Sequence, residues 1–501
     1  MLRRPVMQDT KHCGRFCLLF TGIFLICFGS IVLIFFESIY DSFINHNLKF
    51  APGTPAYENW AKTPRVQTDI YFFNWTNADQ NKNHSIKPEF EEIGPYRFYE
   101  IRSKENITWH DDYVNYVTTT TTFFDQKNSP RNLSDVITTL NVVAVGITYV
   151  SRFQSFWTKK MISFGLSSKI SDVYITKSAA ELLFDGYDDP ILGLLSKIPL
   201  ISAVPEKGGM FFGRNGTPGL DGTYSMHFKN DHQFGSILLW NGKNQSDFFS
   251  GHCNNVKGTA GEFLPLNRQR DQILLYSSDL CKTLALKYVE DVVVKGVKGY
   301  KYSAEYGFDN GTVYPENSCY CTGECIPTGV FNVSSCRMGS PTFLSFPHFF
   351  NADPVYRESV KGMKPNKTLH EFYMIVEPKT GIIMEVQGGM QVNMLLQPIS
   401  SIRLYEKVPK VYVPIFHINH IAHLSDEVAE GLWLLQNLPE YSSYFLYSVI
   451  LLGCISFLGA LVCLVNFKKS NVLANKKVTP IPQYEQVPLS EKKPGIVWKF
   501  K

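Results

Sequence analysis

Two long uncharged apolar runs lie near the two ends of the chain, at 16–36 and 441–467. They contain 21 and 27 residues, and a helix needs about 20 apolar residues to cross a bilayer. We therefore expect transmembrane helices at 16–36 and 444–467. The segment 37–443 is then held by the membrane at both ends, between short tails at 1–15 and 468–501.

The charges beside these runs predict which side of the membrane each end occupies. Basic residues precede the first run and follow the second, whereas acidic residues, including Glu37 and Glu440, stand on the inner flanks. Because basic flanks stay cytoplasmic, we expect a membrane protein with both termini in the cytoplasm. A cleaved signal peptide is the alternative for the first run, but the run is too long and lacks a small-residue cleavage site.

Glycosylation sequons are consistent with an extracellular or lumenal segment 37–443. The pattern Asn-x-Ser/Thr occurs nine times, always inside this segment and never in a tail. Pro218 follows the Asn215 sequon, which makes that position the doubtful one. The predicted N-glycosylation sites are Asn74, Asn83, Asn106, Asn132, Asn215, Asn244, Asn310, Asn332 and Asn366.

The cysteines support the same compartment. Six of the eleven lie within an 84-residue part of the segment 37–443: Cys253, Cys281, Cys319, Cys321, Cys325 and Cys336. An even number in an oxidising compartment predicts three disulfides, although spacing alone leaves fifteen connectivities open. The close spacing of the middle three also resembles a metal knuckle, but thiolates outside the cell usually oxidise.

The coarse pattern is mixed, and nothing in it divides the segment 37–443. The net charge of +4 gives no indication of nucleic-acid binding. Length alone suggests two or three domains, yet no linker or repeat separates them. Strands are predicted at 69–75, 113–124, 236–240, 371–376 and 382–386, and helices at 153–164, 179–184, 279–290 and 425–436.

The sequence contains no motif typical of an enzyme. It has no nucleophile elbow, zinc-protease helix or P-loop, so we expect no catalytic residues, no cofactor and no metal site. His417, His420 and His423 are spaced by three. The region 411–418 is predicted to be a strand, in which residues three apart face opposite sides, so these histidines should not share a metal ion.

Several motifs, spread in order along the chain, resemble one family. Tyr-Phe-Phe-Asn-Trp-Thr-Asn at 71–77 precedes Glu-Glu-Ile-Gly-Pro-Tyr at 91–96, and Glu-Leu-Leu-Phe-Asp-Gly-Tyr lies at 181–187. Ser-Ser-Asp-Leu-Cys at 277–281, Pro-His-Phe at 347–349 and Gln-Val-Asn at 391–393 follow. Together with both apolar runs, they resemble the class B scavenger receptors, which include the fatty-acid translocase, lysosomal integral membrane proteins, croquemort and sensory neuron membrane protein.

The resemblance implies an α+β membrane protein with one large ectodomain. Its core would be an antiparallel β-barrel-like sheet, with an apical helical bundle at about 151–190 and an internal apolar tunnel. It also implies the disulfides Cys253–Cys319, Cys281–Cys336 and Cys321–Cys325. Family members often carry a basic pair just before Gln391, where this chain has Gly388-Gly389-Met390, so a cationic contact there is in doubt.

The segment 151–180 is predicted to bind ligand. It holds five basic residues against one acidic residue, Asp172. Cations beside apolar side chains suit amphipathic anions, and alignment with the family places Lys169 near its apical fatty-acid lysine. The alternative is a solvated charged face, and the helical aromatic stripe is more typical of packing. The candidate ligand-binding residues are Lys169, Lys159, Lys160, Arg152, Phe153 and Trp157.

The tails and membrane edges carry weaker signals. The sequence Tyr-Glu-Gln-Val at 484–487 has the form of a tyrosine-based endocytic signal. Cys13 and Cys17 are candidates for palmitoylation, with reduced thiols as the alternative.

The predicted function is that of a scavenger receptor at the plasma membrane. It would bind lipids, fatty acids, lipoproteins or other anionic lipid-bearing particles and mediate uptake or lipid transfer. One alternative is a phagocytic or adhesion receptor for apoptotic cells or microbes. Another is a lysosomal trafficking receptor in endosomal or lysosomal membranes. A homo-oligomer is compatible with each.

Overall fold

The computed structural model describes residues 6–63, 65–81, 86–170, 172–195, 205–229, 231–337 and 339–476. The chain divides into two compact units. One is formed by its two ends, Met1–Asp41 and Asn437–Lys501, and the other is Ser42–Gln436.

The α-helices of the described residues lie at both ends and in short segments between strands. They are α1 (Val6–Asn47), α2 (Pro55–Ala61), α3 (Val142–Val150), α4 (Phe156–Ser167), α5 (Leu192–Leu195), α6 (Pro354–Glu358), α7 (Lys367–His370) and α8 (Asp426–Lys476). Shorter helical turns occur at Ala78–Gln80, Ser151–Phe153, Glu181–Asp185, Gly251–Asn254, Pro315–Tyr320, Ser334–Cys336 and Pro347–Phe349.

The strands are β1 (Val66–Trp75), β2 (Phe90–Trp109), β3 (Tyr113–Phe124), β4 (Val136–Leu140), β5 (Tyr174–Ser178), β6 (Thr223–His227), β7 (Ile237–Trp240) and β8 (Gln272–Ser277) in the first part of the chain. The second part contributes β9 (Lys282–Val294), β10 (Val297–Ser303), β11 (Val330–Asn332), β12 (Thr342–Ser345), β13 (Tyr373–Val376), β14 (Ile383–Leu396) and β15 (Val411–His423).

Thirteen of these strands form one antiparallel sheet in the order β7-β6-β3-β2-β1-β15-β14-β13-β10-β9-β8, with β12 joining β14 and β11 joining β12. The two end strands meet through one segment. Ile237 N–H donates to the Gly258 carbonyl at 2.7 Å, while Thr259 N–H donates to Leu274 and the Thr259 carbonyl accepts from Tyr276. The sheet is therefore nearly closed, as the resemblance implied.

The main core lies between this sheet and the segment that carries α3, α4, β4 and β5. Phe72, Phe73 and Phe98 from the sheet belong to the same buried cluster as Ala144 and Leu166 from the two helices. β4 and β5 pair as a separate two-stranded sheet. This arrangement fixes α3 and α4 on the barrel, because burying their apolar faces is the main favourable term available to them.

Three disulfides link the described cysteines of the larger unit. They join Cys253 to Cys319, Cys281 to Cys336, and Cys321 to Cys325. These are the pairs that the resemblance implied. All six sulfurs are then unavailable as thiolates, so this part of the chain does not form a metal knuckle.

α1 and α8 are each long and apolar enough to cross a membrane. Within the unit formed by the chain ends, they approach each other at glycines. A Cβ at Gly22 would lie 2.8 Å from the backbone nitrogen of Phe457, and one at Gly453 would lie 3.0 Å from the carbonyl oxygen of Gly22. Small residues allow such backbone contact between membrane helices. The expected spans 16–36 and 444–467 lie inside these longer helices, and their limits stay a prediction.

The five predicted strands are all present, and three of the four predicted helices are. The segment 153–164 contains most of α4, 179–184 overlaps the turn Glu181–Asp185, and 425–436 forms the start of α8. The helix predicted at 279–290 is wrong, because 282–290 lies in β9. Lys282, Leu284 and Leu286 are buried there and the residues between them are more exposed, which is the two-residue period of a strand.

Candidate functional site

α4 and the helical turn Ser151–Phe153, which joins it to α3, present the most exposed aromatic side chains of the larger unit. Asn141 caps α3 by accepting from Ala144 N–H, and Ser155 caps α4 by accepting from Thr158 N–H. The inner face of α4 buries Ser163 and Leu166. The Ser163 hydroxyl also accepts from the backbone N–H of Arg403 at 3.0 Å. One face of α4 is thereby fixed, and the opposite face is left to solvent.

The solvent face of this region is apolar. Phe153, Trp157, Met161 and Phe164 are 84%, 76%, 76% and 80% exposed, and Phe156 is exposed beside them. The expectation that this stripe packs inward is wrong. Helical periodicity identifies a common face but not its direction, and here the smaller residues of α4 face the core. Exposed apolar patches of this kind mark contact sites.

Basic side chains surround the exposed aromatics. The Arg152 guanidinium lies 4.2 Å from the centre of the Phe153 ring, and Lys160 Nζ lies 5.6 Å from that of Phe156. Lys160 is 3.8 Å from Glu406, and Lys159 donates to Ser400. We call this set the aromatic–lysine surface: Arg152, Phe153, Phe156, Trp157, Lys159, Lys160, Met161, Phe164 and Lys169.

Among the basic residues of 151–180, Lys169 has the side chain with the fewest polar contacts to described residues. It is exposed and makes no ion pair with any described residue. Lys177, the other lysine near it in sequence, lies 3.6 Å from Glu181. The six residues predicted from sequence thus lie on α4 or directly beside its two ends, and Lys169 is exposed just after its C-terminal end.

A second feature is a cavity of about 480 Å³ inside the barrel. This volume is typical of small-molecule sites. Part of its wall is apolar and comes from β13, β14 and β15. Met374, Val386 and Ala422 lie side by side in neighbouring strands, and Met390 lies opposite Ile418. Gly388 and Gly389 also line the cavity, so no basic side chain occupies these positions before Gln391.

Another part of the wall is polar and comes from β2 and β3. Its side chains form three directly opposed pairs, Glu100 with Thr122, Arg102 with Thr120, and Lys104 with Thr118. We call these six residues the polar ladder. The expected internal space is therefore present, but its wall is amphipathic and not uniformly apolar.

The charges of the polar ladder are paired. Arg102 donates to Glu100 at 3.0 Å. Lys104 donates to Thr118 at 3.1 Å and forms an ion pair with Glu262. Burial opposes ionisation of Glu100, but His420 and Arg102 outweigh it and lower the pKa of this carboxyl. The ladder thus presents charged and hydroxyl groups with no unpaired ion.

Comparison with known proteins now identifies the family. A family model described as the CD36 family matches residues 20–464. The chain belongs to the CD36 family. Protein peste of Drosophila melanogaster is 35% identical over 437 residues, which cover 85% of this chain and 78% of peste. Both the fold and the resemblance read from the motifs are confirmed.

Other CD36-family relatives carry names that bear on function. Scavenger receptor class B member 1 of Mus musculus is 29% identical and covers 88% of this chain and 87% of the relative. Lysosome membrane protein 2 of Homo sapiens is 29% identical over a region that covers 88% of this chain and 93% of the relative. These similarities support a receptor role in a membrane.

Two of the family motifs meet in a buried cluster of histidines. Nε2 of His348 and Nε2 of His417 lie 2.8 and 2.7 Å from the same oxygen of Glu92. The rings of His348 and His370 stack at 4.7 Å, and the Tyr71 ring stacks on His417 at 4.5 Å. Burial opposes ionisation of Glu92, but the two histidine hydrogen bonds hold its pKa well below the usual range.

The hydrogen bonds of this cluster disfavour a metal ion. Nδ1 of His348 accepts from the backbone N–H of Lys364 at 3.1 Å, so in the neutral ring the proton is on Nε2 and is donated to Glu92. A histidine that binds metal through Nε2 instead donates from Nδ1. Glu92, His348 and His417 therefore form a charge-assisted hydrogen-bond cluster.

The three histidines of β15 face different surroundings, as the strand period predicts. His417 contacts Glu92, His420 lines the cavity, and His423 lies 3.6 Å from Glu385 on β14.

The sequence analysis predicted none of Glu92, His348, His370 and the threonines of β3 as site residues. The run of five threonines at 118–122 was the one available signal for the polar ladder.

Other predicted positions are placed as follows. Asn106, Asn132, Asn215, Asn244 and Asn366 are exposed, whereas Asn74, Asn310 and Asn332 are half-buried. Cys17 is exposed on α1. Asn83, the side chain of Cys13 and the tyrosine motif at 484–487 lie outside the described residues.

Proposed function

We propose that this chain is a cell-surface receptor that binds anionic lipids or lipid-bearing particles through the aromatic–lysine surface. The observation that carries the proposal is that four strongly exposed apolar side chains lie among basic side chains that make few or weak polar contacts within the protein. Aromatic rings enter the boundary between head groups and acyl chains, and lysines attract anionic head groups. The internal cavity would receive lipid for uptake or transfer to the membrane.

A lipid surface is the occupant that fits both halves of this surface. A protein partner would need complementary acidic and apolar groups at fixed positions. A lipid surface needs only apolar depth and negative charge, and it tolerates a stripe of flexible and bulky side chains. The relative named as a scavenger receptor supports this choice.

The test uses cells that express the full-length chain and fluorescent vesicles. Vesicles containing phosphatidylserine should bind, and vesicles of phosphatidylcholine alone should bind much less. Lys169→Glu should weaken binding about tenfold, because each basic residue near an anionic surface contributes about 1 kcal/mol and reversal adds repulsion. Trp157→Ser should weaken it by removing an apolar contact.

Matched controls separate this surface from general charge. Lys127→Glu changes an exposed lysine elsewhere, and Val293→Ser changes an exposed apolar residue of β9. Both should bind vesicles like the wild type. Equal binding by the Lys169→Glu and Lys127→Glu variants would remove the aromatic–lysine surface from the mechanism.

For location we propose the plasma membrane with both termini cytoplasmic. The two apolar helices and their flanking charges support this topology. Epitope tags at the two termini should be detected only after permeabilisation, and an antibody against the unit Ser42–Gln436 should stain intact cells. Staining confined to lysosomes would favour the trafficking alternative, which the lysosomal relative raises.

A further inference from the structure

Two histidine rings hold a short surface segment against the barrel wall. In Lys364-Pro365-Asn366, which we call the histidine-held segment, proline has no amide hydrogen, so the backbone offers two donors. The amide of Lys364 donates to Nδ1 of His348 at 3.1 Å, and that of Asn366 donates to Nδ1 of His370 at 3.0 Å. Both backbone donors of the segment therefore depend on an imidazole nitrogen as their acceptor.

The residues on either side of this segment are anchored by other contacts. Before it, the Lys361 carbonyl accepts from Phe90 N–H at 3.1 Å, and Met363 packs against the main core. After it, the Thr368 carbonyl accepts from the Gln387 side chain at 2.9 Å. The histidine-held segment can therefore leave the surface as a short loop while both of its ends stay in place.

Protonation of either ring removes the acceptor that holds the segment. Because Nδ1 accepts in both neutral rings, the ring hydrogen is on Nε2, and in His348 it is donated to Glu92 at 2.8 Å. The next proton must bind Nδ1. An imidazolium ring has hydrogens on both nitrogens, so its Nδ1–H would face the N–H of the segment. A proton and the segment thus compete for the same nitrogen atom.

The titratable groups that face the two rings come from neighbouring strands. Glu92 of β2 and His417 of β15 lie beside the pair, and the two rings stack on each other at 4.7 Å. Glu92 favours a positive charge on His370, whereas the neighbouring histidines oppose it. Glu371, the next residue, is paired with Lys301 of β10 at 2.8 Å. Only one of these neighbours therefore stabilises a charged ring in the held state.

Acid consequently favours release of the segment. Burial and the two neighbouring histidines lower the pKa of His370 to about 4 while its ring is held, whereas a solvated histidine has a pKa of about 6.5. Because the released state binds the proton more tightly, the ratio of released to held molecules rises as the pH falls below about 6.5. For this ring alone the rise is about tenfold at pH 5.5. The exposed Lys364 and Lys367 add positive charge nearby.

We propose that the histidine-held segment is an acid-operated latch, which lies on the barrel at neutral pH and detaches, together with the sequon residue Asn366, when His348 or His370 takes up a proton at Nδ1. The chain then presents one surface at the neutral cell exterior and another in an acidified endocytic compartment. This inference adds a response to pH, and it does not depend on which ligand the aromatic–lysine surface binds.

Hydrogen–deuterium exchange of the full-length chain in nanodiscs tests this inference. Peptides that contain Lys364 and Asn366 are followed by mass spectrometry at pH 7.4 and pH 5.5, with labelling times scaled for the slower chemical exchange in acid and any glycan removed after quenching. Protection of these two amides should fall about tenfold at pH 5.5. Peptides from β3 and β15 should keep their protection, which shows that the barrel stays folded.

Variants of His370 separate titration from packing. In His370→Asn, the side-chain oxygen can accept the same amide but does not titrate, so protection at pH 7.4 should be kept and its loss at pH 5.5 should shrink severalfold. His370→Ala removes the acceptor and should speed exchange at Asn366 at both pH values. His232→Gln changes an exposed histidine elsewhere in the chain and should behave like the wild type.

Three results would overturn the latch. One is equal protection of the segment at the two pH values in the wild type. Another is an undiminished fall in the double variant His348→Asn/His370→Asn, in which neither ring can titrate. The third is a parallel loss of protection in β3 and β15, which would mean that acid unfolds the whole barrel. Loss of vesicle binding at neutral pH would instead contradict the proposed function and leave the latch in place.

Discussion

His417 and Glu92 are joined by a hydrogen bond of 2.7 Å although 325 residues separate them in sequence. They lie on β15 and β2, which are separated in the sheet by β1. His348, from the turn that follows β12, donates to the same oxygen. One carboxylate thus connects three separate segments of the barrel wall.

This cluster predicts that acid destabilises the protein. Burial lowers the pKa of His417, and it lowers the pKa of His370 to about 4. A histidine whose pKa is lower in the folded state keeps its full contribution to stability above the unfolded pKa of about 6.5 and loses it as the pH falls toward the folded value. The thermal unfolding midpoint of the full-length chain should therefore fall between pH 7 and pH 5.

The variant His370→Phe should show a smaller fall over this range, since the aromatic stack on His348 is kept and one titrating group is removed. His232→Gln changes an exposed histidine and should behave like the wild type. The same pH dependence in all three proteins would place the acid sensitivity outside this cluster.

Removing the charge of Glu92 should cost stability. Glu92→Gln keeps an acceptor oxygen but loses the charge, and hydrogen bonds to charged groups contribute about 1.5–3 kcal/mol. We expect the free energy of unfolding to fall by about 2 kcal/mol in denaturant titrations. Glu91→Gln alters the preceding exposed carboxylate and should change stability by less than about 0.5 kcal/mol. Equal effects would show that the histidine contacts do not stabilise the fold.

Glycan occupancy should differ among the sequons. Nδ2 of Asn215 donates to the Thr122 carbonyl at 3.0 Å, and Nδ2 of Asn310 donates to the Ile326 carbonyl. A sugar on either nitrogen would displace these contacts. Asn215 is itself exposed, but Nδ2 of the other exposed residues, Asn106, Asn132, Asn244 and Asn366, donates to no described residue. Glycopeptide mass spectrometry should find these last four sites occupied and Asn215 and Asn310 unmodified. Full occupancy of Asn215 would contradict its contact with β3.

The contact between α1 and α8 should depend on Gly453. Ser456 donates to the Leu18 carbonyl at 3.0 Å, so cysteines placed at 18 and 456 should cross-link within one chain in a background lacking the other membrane cysteines. Gly453→Leu should abolish the cross-link, because its Cβ meets backbone and side-chain atoms of α1. Gly459→Leu, where a Cβ meets nothing within 4 Å, should preserve it.

The sequence predicts the elements of this fold better than the chemistry of its interior. Runs of β-branched and aromatic residues with turn residues nearby locate strands such as β3, and long uncharged apolar runs locate the membrane helices. The segment 282–290 misleads because Leu284, Ala285, Leu286 and Lys287 favour helices, while pairing with β8 and β10 determines the actual structure.

The polar ladder and the histidine cluster around Glu92 could not be predicted from the sequence, for a different reason. In five consecutive threonines no alternation distinguishes the residues that face the cavity from those that face outward, so only the register with β2 reveals the ladder. Likewise, Glu92, His348, His370 and His417 are scattered over more than 300 residues. Their proximity follows from strand order, which local patterns do not encode.

The shared contact of β7 and β8 with Gly258 and Thr259 has a consequence for the receptor in a crowded membrane. End strands of open sheets offer unpaired amides to neighbouring molecules and promote aggregation. Here the amide of Ile237 on β7 and that of Tyr276 on β8 are both occupied by this one segment. These two amides are therefore unavailable to a neighbouring copy, which limits edge-to-edge pairing through β7 and β8 where the chain is dense.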